Sequence, residues 1–212
     1  DNDMNCRMNW EEAGYDKPWV KVYECSAEAD EKTVWISCSF SIASAYRQPF
    51  LRATAEWAVN AQGAVKLTVD AKKDMDFPFL PRFGLTFTLP KEEDAVRYFG
   101  YGPFESYQDK HRASWMDRFE TTVAGLHEDY IKPQENGSRY NCHEVQVGSF
   151  HAAGSRPFSF NASHYTVEEL AGKAHNYELE QSGHVILHLD YAMSGVGSNS
   201  CGPQLLEQYR LN

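Results

Sequence analysis

The run Val34-Trp35-Ile36-Ser37-Cys38-Ser39-Phe40-Ser41-Ile42 places an apolar side chain at every second position. Period two is the pitch of a pleated strand, whose successive side chains point to opposite faces. The run therefore reads as a half-buried β-strand and not as a helix. The same alternation marks residues 20–24. Residues 52–59, the turn dipeptide Gln62-Gly63 and residues 64–69 read together as a hairpin. Five further strands are expected: 85–89, ended by Pro90; 95–99, ended by Gly100; 142–147; 158–162; and 185–190. Helical signals are confined to 166–171, where Thr166 precedes an acidic residue by three positions in the manner of a capping box. The stretch 116–126 fits strand or helix. Many short strands broken by Gly, Pro and Asn predict an all-β fold, a large antiparallel two-sheet sandwich. No linker or low-complexity tract interrupts them, which favours a single domain over residues 1–212, with two immunoglobulin-sized sandwiches as the alternative.

Composition bounds the partners. Aromatic residues make up 14% of the chain, which suits strand packing first and sugar-stacking surfaces second. The formal charge of −10, without a basic cluster, argues against nucleic acid and against anionic membrane surfaces. No apolar run is long enough to cross a bilayer. The five cysteines (Cys6, Cys25, Cys38, Cys142 and Cys201) are odd in number and widely spaced. They are expected to be reduced, mostly buried thiols in a cytoplasmic protein. A polar opening without an initiator Met suggests a piece of a longer chain.

Three segments are too unusual for generic strand and loop. The first is Gly100-Tyr101-Gly102-Pro103-Phe104-Glu105-Ser106-Tyr107-Gln108-Asp109-Lys110, an aromatic-lined turn in which Pro103 rules out a phosphate loop. The second is Tyr130-Ile131-Lys132-Pro133-Gln134-Glu135-Asn136-Gly137-Ser138-Arg139, with the turn signal Asn136-Gly137. Asn136 and Asn161 each head a glycosylation pattern, which chance alone also produces. The third, from Asp190 to Pro203, is rich in Gly, Ser and Asn. It has too little apolar content to pack alone, so it must lie on something or line a site.

Together with Trp10-Glu11-Glu12-Ala13-Gly14, Pro81-Arg82-Phe83-Gly84, residues 158–166 and the closing Tyr209-Arg210-Leu211, these segments resemble the small-chain, carboxy-terminal domain of lactose-operon-type β-galactosidases of glycoside hydrolase family 2. The resemblance runs nearly end to end. It implies a supersandwich related in fold to galactose mutarotases, which buttresses a catalytic barrel and edges its active site. The implied parent is a bacterial retaining enzyme that hydrolyses terminal non-reducing β-D-galactose. Such an enzyme needs two carboxyl groups roughly 5 Å apart. In the family both Glu residues, and the ligands for magnesium and sodium, sit on the barrel. The resemblance therefore implies no catalytic residue, metal site or cofactor in this chain. The implied partners are a β-galactoside, the barrel, and further copies of the parent in a homo-oligomer.

Carried over residue by residue, the substrate edge falls on Met4, Asn5 and Cys6 and on Ser198, Asn199, Ser200 and Cys201, followed by the aromatic residues of 100–107. Cys201 stands where the best-known members place a platform Trp, and the loop around it is one residue shorter. The segment after Asp3 is also much shortened. Two other readings stay open: an autonomous carbohydrate-binding domain and a mutarotase-like isomerase. The second needs a Glu base and a His acid in one pocket, drawn from Glu105, Glu135 and Glu144 with His111, His143, His164, His184 and His188. His164, beside Tyr165, is the most site-like of these. The pattern HExxH does not occur, and no His/Cys cluster has ligand spacing.

Overall fold

The computed structural model describes residues 4–197 and 204–212, the side chains of Met4 and Asn5 excepted. It has the expected class, mostly β with two antiparallel sheets of four and six strands. The chain divides into two compact units, 4–79 and 80–211.

In the first unit, helix α1 (Met4–Ala13) precedes β1 (Trp19–Ala29), β2 (Thr33–Ala43), β3 (Pro49–Asn60) and β4 (Val65–Lys73), which form a meander in that order. The register turns alternation into two chemically distinct faces. Val22, Phe40, Ala53 and Ala71 share one cross-strand row, and Ala27, Ile36, Trp57 and Leu67 another. The opposite face carries rows such as Ser26, Ser37, Glu56 and Thr68. A one-residue slip would exchange the apolar and polar rows between the two faces. The turns agree with the observed register. Asp30 Oδ1 accepts from the amides of Lys32 and Thr33 between β1 and β2, and Asn60 Oδ1 accepts from Gln62 and Ala64 between β3 and β4.

Two features of this unit depart from expectation. Residues 4–13 are helical and end in a Schellman motif. Gly14 takes φ +78°, its amide donates to Glu11 O, and the Tyr15 amide reaches Trp10 O. Trp10 Nε1 then donates to Phe79 O and Tyr15 Oη to Pro78 O, at 2.9 and 2.6 Å. The cysteines also differ. Cys25 and Cys38 face each other across β1 and β2 and form a disulfide, where reduced thiols were expected. Cys142 is buried as expected, and Cys6 is half-buried on α1.

The second unit contains β5 (Arg82–Pro90), β6 (Ala95–Gly102), β7 (Trp115–Thr122), α2 (Val123–Leu126), β8 (Arg139–Val147), β9 (Phe150–Ser163), α3 (Val167–Gly172) and β10 (His184–Met193). Its sheet runs β5-β10-β9-β8-β6-β7. One face supplies the core: Val185, Leu187, Phe160, Ala162, Val145, Val147, Val96 and Tyr98 are nearly or fully buried, with Phe87, Leu89 and Phe119 against them. Each large apolar side chain so buried contributes roughly 1.5–3 kcal/mol. The ambiguous stretch 116–126 is strand up to Thr122, whose hydroxyl then caps α2 by accepting from the Gly125 amide at 3.0 Å. Thr166 caps α3 in the same way through the Glu169 amide.

The antiparallel pairing gathers the ends of distant strands. Arg82 pairs with Met193, Asp190 with Ser159, and Arg139 with Phe160, while β6 leaves the sheet beside the start of β8. All three unusual sequence segments therefore emerge at one end of this sheet.

Candidate functional site

The site is built from that end. Arg82, the first residue of β5, reaches across to β10 and grips Asp190 with two donors, Nε to Oδ1 at 3.2 Å and Nη2 to Oδ2 at 2.8 Å. Its third donor, Nη1, meets Glu135 Oε2 at 3.4 Å. Asp190 is 2% exposed. Burial works against the Arg82 charge, but the Glu135 and Asp190 carboxylates outweigh it and hold the guanidinium pKa above its ordinary value. Burial pushes the Glu135 carboxyl up, with Arg82 opposing. The buried Tyr107 hydroxyl lies close beside the Glu135 carboxyl and, with Arg82, works against that rise.

Glu105 joins the first unusual segment to the second. One carboxylate oxygen accepts from Lys110 Nζ and Tyr130 Oη, and the other from the Gly137 amide at 3.0 Å. Burial opposes the Glu105 charge, yet these three donors prevail and hold the carboxyl below its ordinary value. Gly137 sits at φ +74°, and a Cβ there would lie 2.6 Å from Leu126 O, so only glycine fits. Arg139, 2% exposed, completes the join. Its donors reach Tyr98 Oη (3.2 Å), Gly137 O (3.0 Å), Ser138 O (3.2 Å) and Pro103 O (2.7 Å). Its hydrogen-bond partners among the described residues are all neutral, so it acts as a fork gripping backbone carbonyls.

The third segment is held by the tip of the first. Tyr107 and Lys110 exchange backbone hydrogen bonds, which leaves Gln108 and Asp109 at a two-residue turn. Asp109 accepts from the amides of Val196 (3.0 Å) and Gly197 (2.7 Å). Gln108 Nε2 donates to Met193 O at 2.8 Å and to Tyr209 O at 2.6 Å, and Tyr209 O also accepts from the Gly195 amide. Ser194 ties the same strand to Leu80 O and to the Leu211 amide. Both arms of the stretch leading into and out of 198–203 are thus fixed to one support.

The residues carried over as the substrate edge are described only in part. Ser198, Asn199, Ser200 and Cys201 are outside the described residues, as are the side chains of Met4 and Asn5. Cys6 lies in the first turns of α1. Of the proposed acid–base set, Glu105 and Glu135 do meet in one cluster, but no histidine hydrogen-bonds either of them among the described residues. His164 Nε2 lies 3.2 Å from Asp94 and its Nδ1 faces His184 O. His188 bonds Thr86 Oγ1, and burial followed by nearby Arg82 lowers its pKa to about 4, so it is neutral at physiological pH. His111 bonds Tyr107 O and lies against the rings of Tyr101 and Tyr140. His143 lies against the Phe99 ring, and Glu144 pairs with Arg118. Asn136 and Asn161, the heads of the two glycosylation patterns, are buried; Asn161 Nδ2 donates to Asn136 O, and Asn136 Oδ1 accepts from the Glu128 amide. Asp109, Arg82, Arg139 and Asp190 were not singled out by sequence reasoning; the signal available was their place inside the three unusual segments and in the Pro81–Gly84 motif.

Among the described residues, no group of three or more His, Cys, Asp or Glu is placed to hold a metal ion. Among the same residues, no helix is long and apolar enough to cross a membrane. The model of the β-galactosidase small chain family matches residues 1–212. The chain is 44% identical over its whole length to a β-galactosidase of Actinobacillus pleuropneumoniae, covering 21% of that protein. It is 39% identical over its whole length to one of Staphylococcus xylosus, covering 22% of it, and 33% identical over 92% of its length to one of Vibrio cholerae, covering 19%. The chain therefore spans about a fifth of the length of these curated relatives.

Proposed function

The chain belongs to the β-galactosidase small chain family, and from that premise we propose that it works as the small-chain part of a longer retaining β-galactosidase. On this reading the parent removes terminal non-reducing β-D-galactose, and this chain buttresses the catalytic barrel and edges its active site. The observation that carries the reading is the end-to-end match to proteins about five times longer, all named β-galactosidase. The two catalytic carboxylates, and any magnesium or sodium, belong to the barrel. Residues Met4, Asn5, Cys6, Ser198, Asn199, Ser200 and Cys201 form the part nearest the sugar, on the aglycone side. A cytoplasmic, homo-oligomeric parent completes the proposal. The comparisons do not favour the autonomous carbohydrate-binding or mutarotase-like alternative.

The test is expression of the full-length polypeptide and of residues 1–212 alone, each assayed on a nitrophenyl β-galactoside and for conversion of galactose anomers. Hydrolysis by the long form and neither activity in the short form is expected. Hydrolysis or anomer conversion by the short form would refute the division of labour.

A further inference from the structure

We infer that the apolar face of the four-stranded sheet is the surface on which the parent polypeptide outside residues 1–212 packs. This rests on the reading that the chain is one part of a longer enzyme. Across β1 to β4 the register lines up five alternate rows of four side chains, from the row that begins at Val20 to the row Ala29, Val34, Val59 and Val65, and all are apolar except Lys73. Lys73 does not break the face, because its Nζ turns to the carbonyls of Asp74 and Phe77, at 3.0 and 2.8 Å. The rows between carry Ser, Thr, Lys, Arg, Asp and Glu, with Trp35 and Ala58 the exceptions. An antiparallel sheet patterned in this way lays its apolar face on a second layer. Here the face is covered only in part. Leu51, Ala53 and Ala55 on β3 are buried, but on the two edge strands Val20 is 61% exposed, Val22 55%, Val65 55% and Val69 38%.

Helix α1 has no apolar stripe, so it does not supply the missing layer. The open part of the face holds no charged side chain, which marks a surface that is covered permanently and not by a partner that comes and goes. The β-galactosidases that match the chain over its whole length are about five times as long, so about four-fifths of such a polypeptide is available in cis. A tethered segment meets the face at an effective concentration that a separate molecule does not reach. The relief of the face also describes its cover. Ala27 and Ala29 pair with Ile36 and Val34 and are themselves exposed. Such small side chains leave shallow ground, so the covering layer brings the large apolar ones, as facing layers of a core alternate large and small.

The experiment uses the full-length enzyme. Val20→Cys and Val65→Cys place a thiol on the apolar face, and Lys21→Cys and Lys66→Cys place one on the opposite face of the same strands. Each variant is treated with a maleimide under native conditions, and the labelled peptides are followed by mass spectrometry. Positions 20 and 65 are expected to react at least about tenfold more slowly than 21 and 66. Carbene footprinting of the unsubstituted enzyme at Val20 and Val65 gives the same comparison if a cysteine variant does not fold. A diazirine-bearing aliphatic residue in place of Val65 then identifies the cover: irradiation should link position 65 to a peptide of the same polypeptide outside residues 1–212. Equal labelling of the two faces would overturn the inference. So would a link to residues 80–211, which makes the cover internal, or a link to a second copy, seen as a doubled mass on a denaturing gel. Hydrolysis of a nitrophenyl β-galactoside by the same preparation separates the two possible failures. An inactive long polypeptide sinks the small-chain reading and the inference with it, whereas activity with an open face sinks the inference alone.

Discussion

Replacing Arg139 by methionine keeps the length of the side chain and removes its fork. Four hydrogen bonds disappear, to Tyr98 Oη, Gly137 O, Ser138 O and Pro103 O. Hydrogen bonds from a charged donor are worth about 1.5–3 kcal/mol each. Against that sum stands the desolvation of a guanidinium only 2% exposed, several kcal/mol in a real protein, which the substitution relieves. What the methionine cannot relieve is the set of buried acceptors left behind, at about 1–3 kcal/mol for each that finds no water. The net loss should be about 3–5 kcal/mol, set by two or three of those acceptors left unsatisfied. For a chain of this size that is roughly 6–20 °C in melting temperature. Arg139→Lys should lose nearly as much, because one ammonium cannot reach carbonyls spread from Pro103 to Ser138. Thermal unfolding gives the magnitude. Peptide-level hydrogen exchange gives the location: protection should fall first in segments 100–110 and 130–142. A methionine variant within about 1 kcal/mol of the parent, or uniform loss of protection, would refute the reasoning.

The two glutamates of the cluster should have opposite pH signatures. Glu105 has a lowered folded-state pKa, so its contribution is present above the ordinary carboxylate pKa and fades as pH falls through the lowered one. Glu135 has a raised pKa, so its contribution is complete below the ordinary value and fades as pH rises through the raised one. Urea denaturation across pH should show Glu105→Gln losing stability at neutral pH and converging on the parent in acid. Glu135→Gln should be tolerated at neutral pH and should flatten the alkaline side of that window; the reverse pattern would contradict both assignments. Gly137→Ala should cost about 1–3 kcal/mol in the same assay, from a left-handed φ and the approach to Leu126 O; an unchanged midpoint would show that the turn relaxes. Non-reducing peptide mapping should recover residues 25 and 38 in one linked peptide, and complete alkylation of both without reductant would contradict the pairing.

The strands were legible because alternation needs only neighbours in sequence. Residues 34–42 became β2 (Thr33–Ala43), and 185–190 became the middle of β10. The first half of β9 was not legible: residues 150–157 do not alternate and are largely exposed, so no buried face wrote its period there. Helix α1 has no apolar stripe; the available signal was Gly14, a glycine stop after a run of good helix formers. The disulfide was hidden for a related reason. Cys25 and Cys38 stand symmetrically about the Asp30–Thr33 turn, so the turn's position would have predicted their pairing, while their spacing alone could not. The resemblance assigned the substrate edge to residues 4–6 and 198–201, of whose side chains the structure describes that of Cys6 alone. The hold of Asp109 on the Val196 and Gly197 amides was not legible, because Asp109 and Gly197 are 88 residues apart.

Why this end of the sheet uses charges where the core uses leucine and valine follows from what has to be held. The three segments are rich in Gly, Asn, Ser and Pro, and offer backbone amides and carbonyls in place of apolar side chains. An apolar cluster would be no weaker in free energy, but it cannot grip an amide at Gly137 or Gly197 or a carbonyl at Pro103. Carboxylates and guanidinium forks can, and their geometry fixes direction as well as distance. Each carboxylate therefore needs a counter-charge inside the fold: Lys110 for Glu105, and Arg82 for Asp190 and, at longer range, Glu135. Asp109 is the exception, compensated by two backbone amides and no ion pair among the described residues. Its hold on the chain depends on those amides staying in place, which is why substitutions on either side of the contact, at Asp109 or at Gly195, should loosen the same segment.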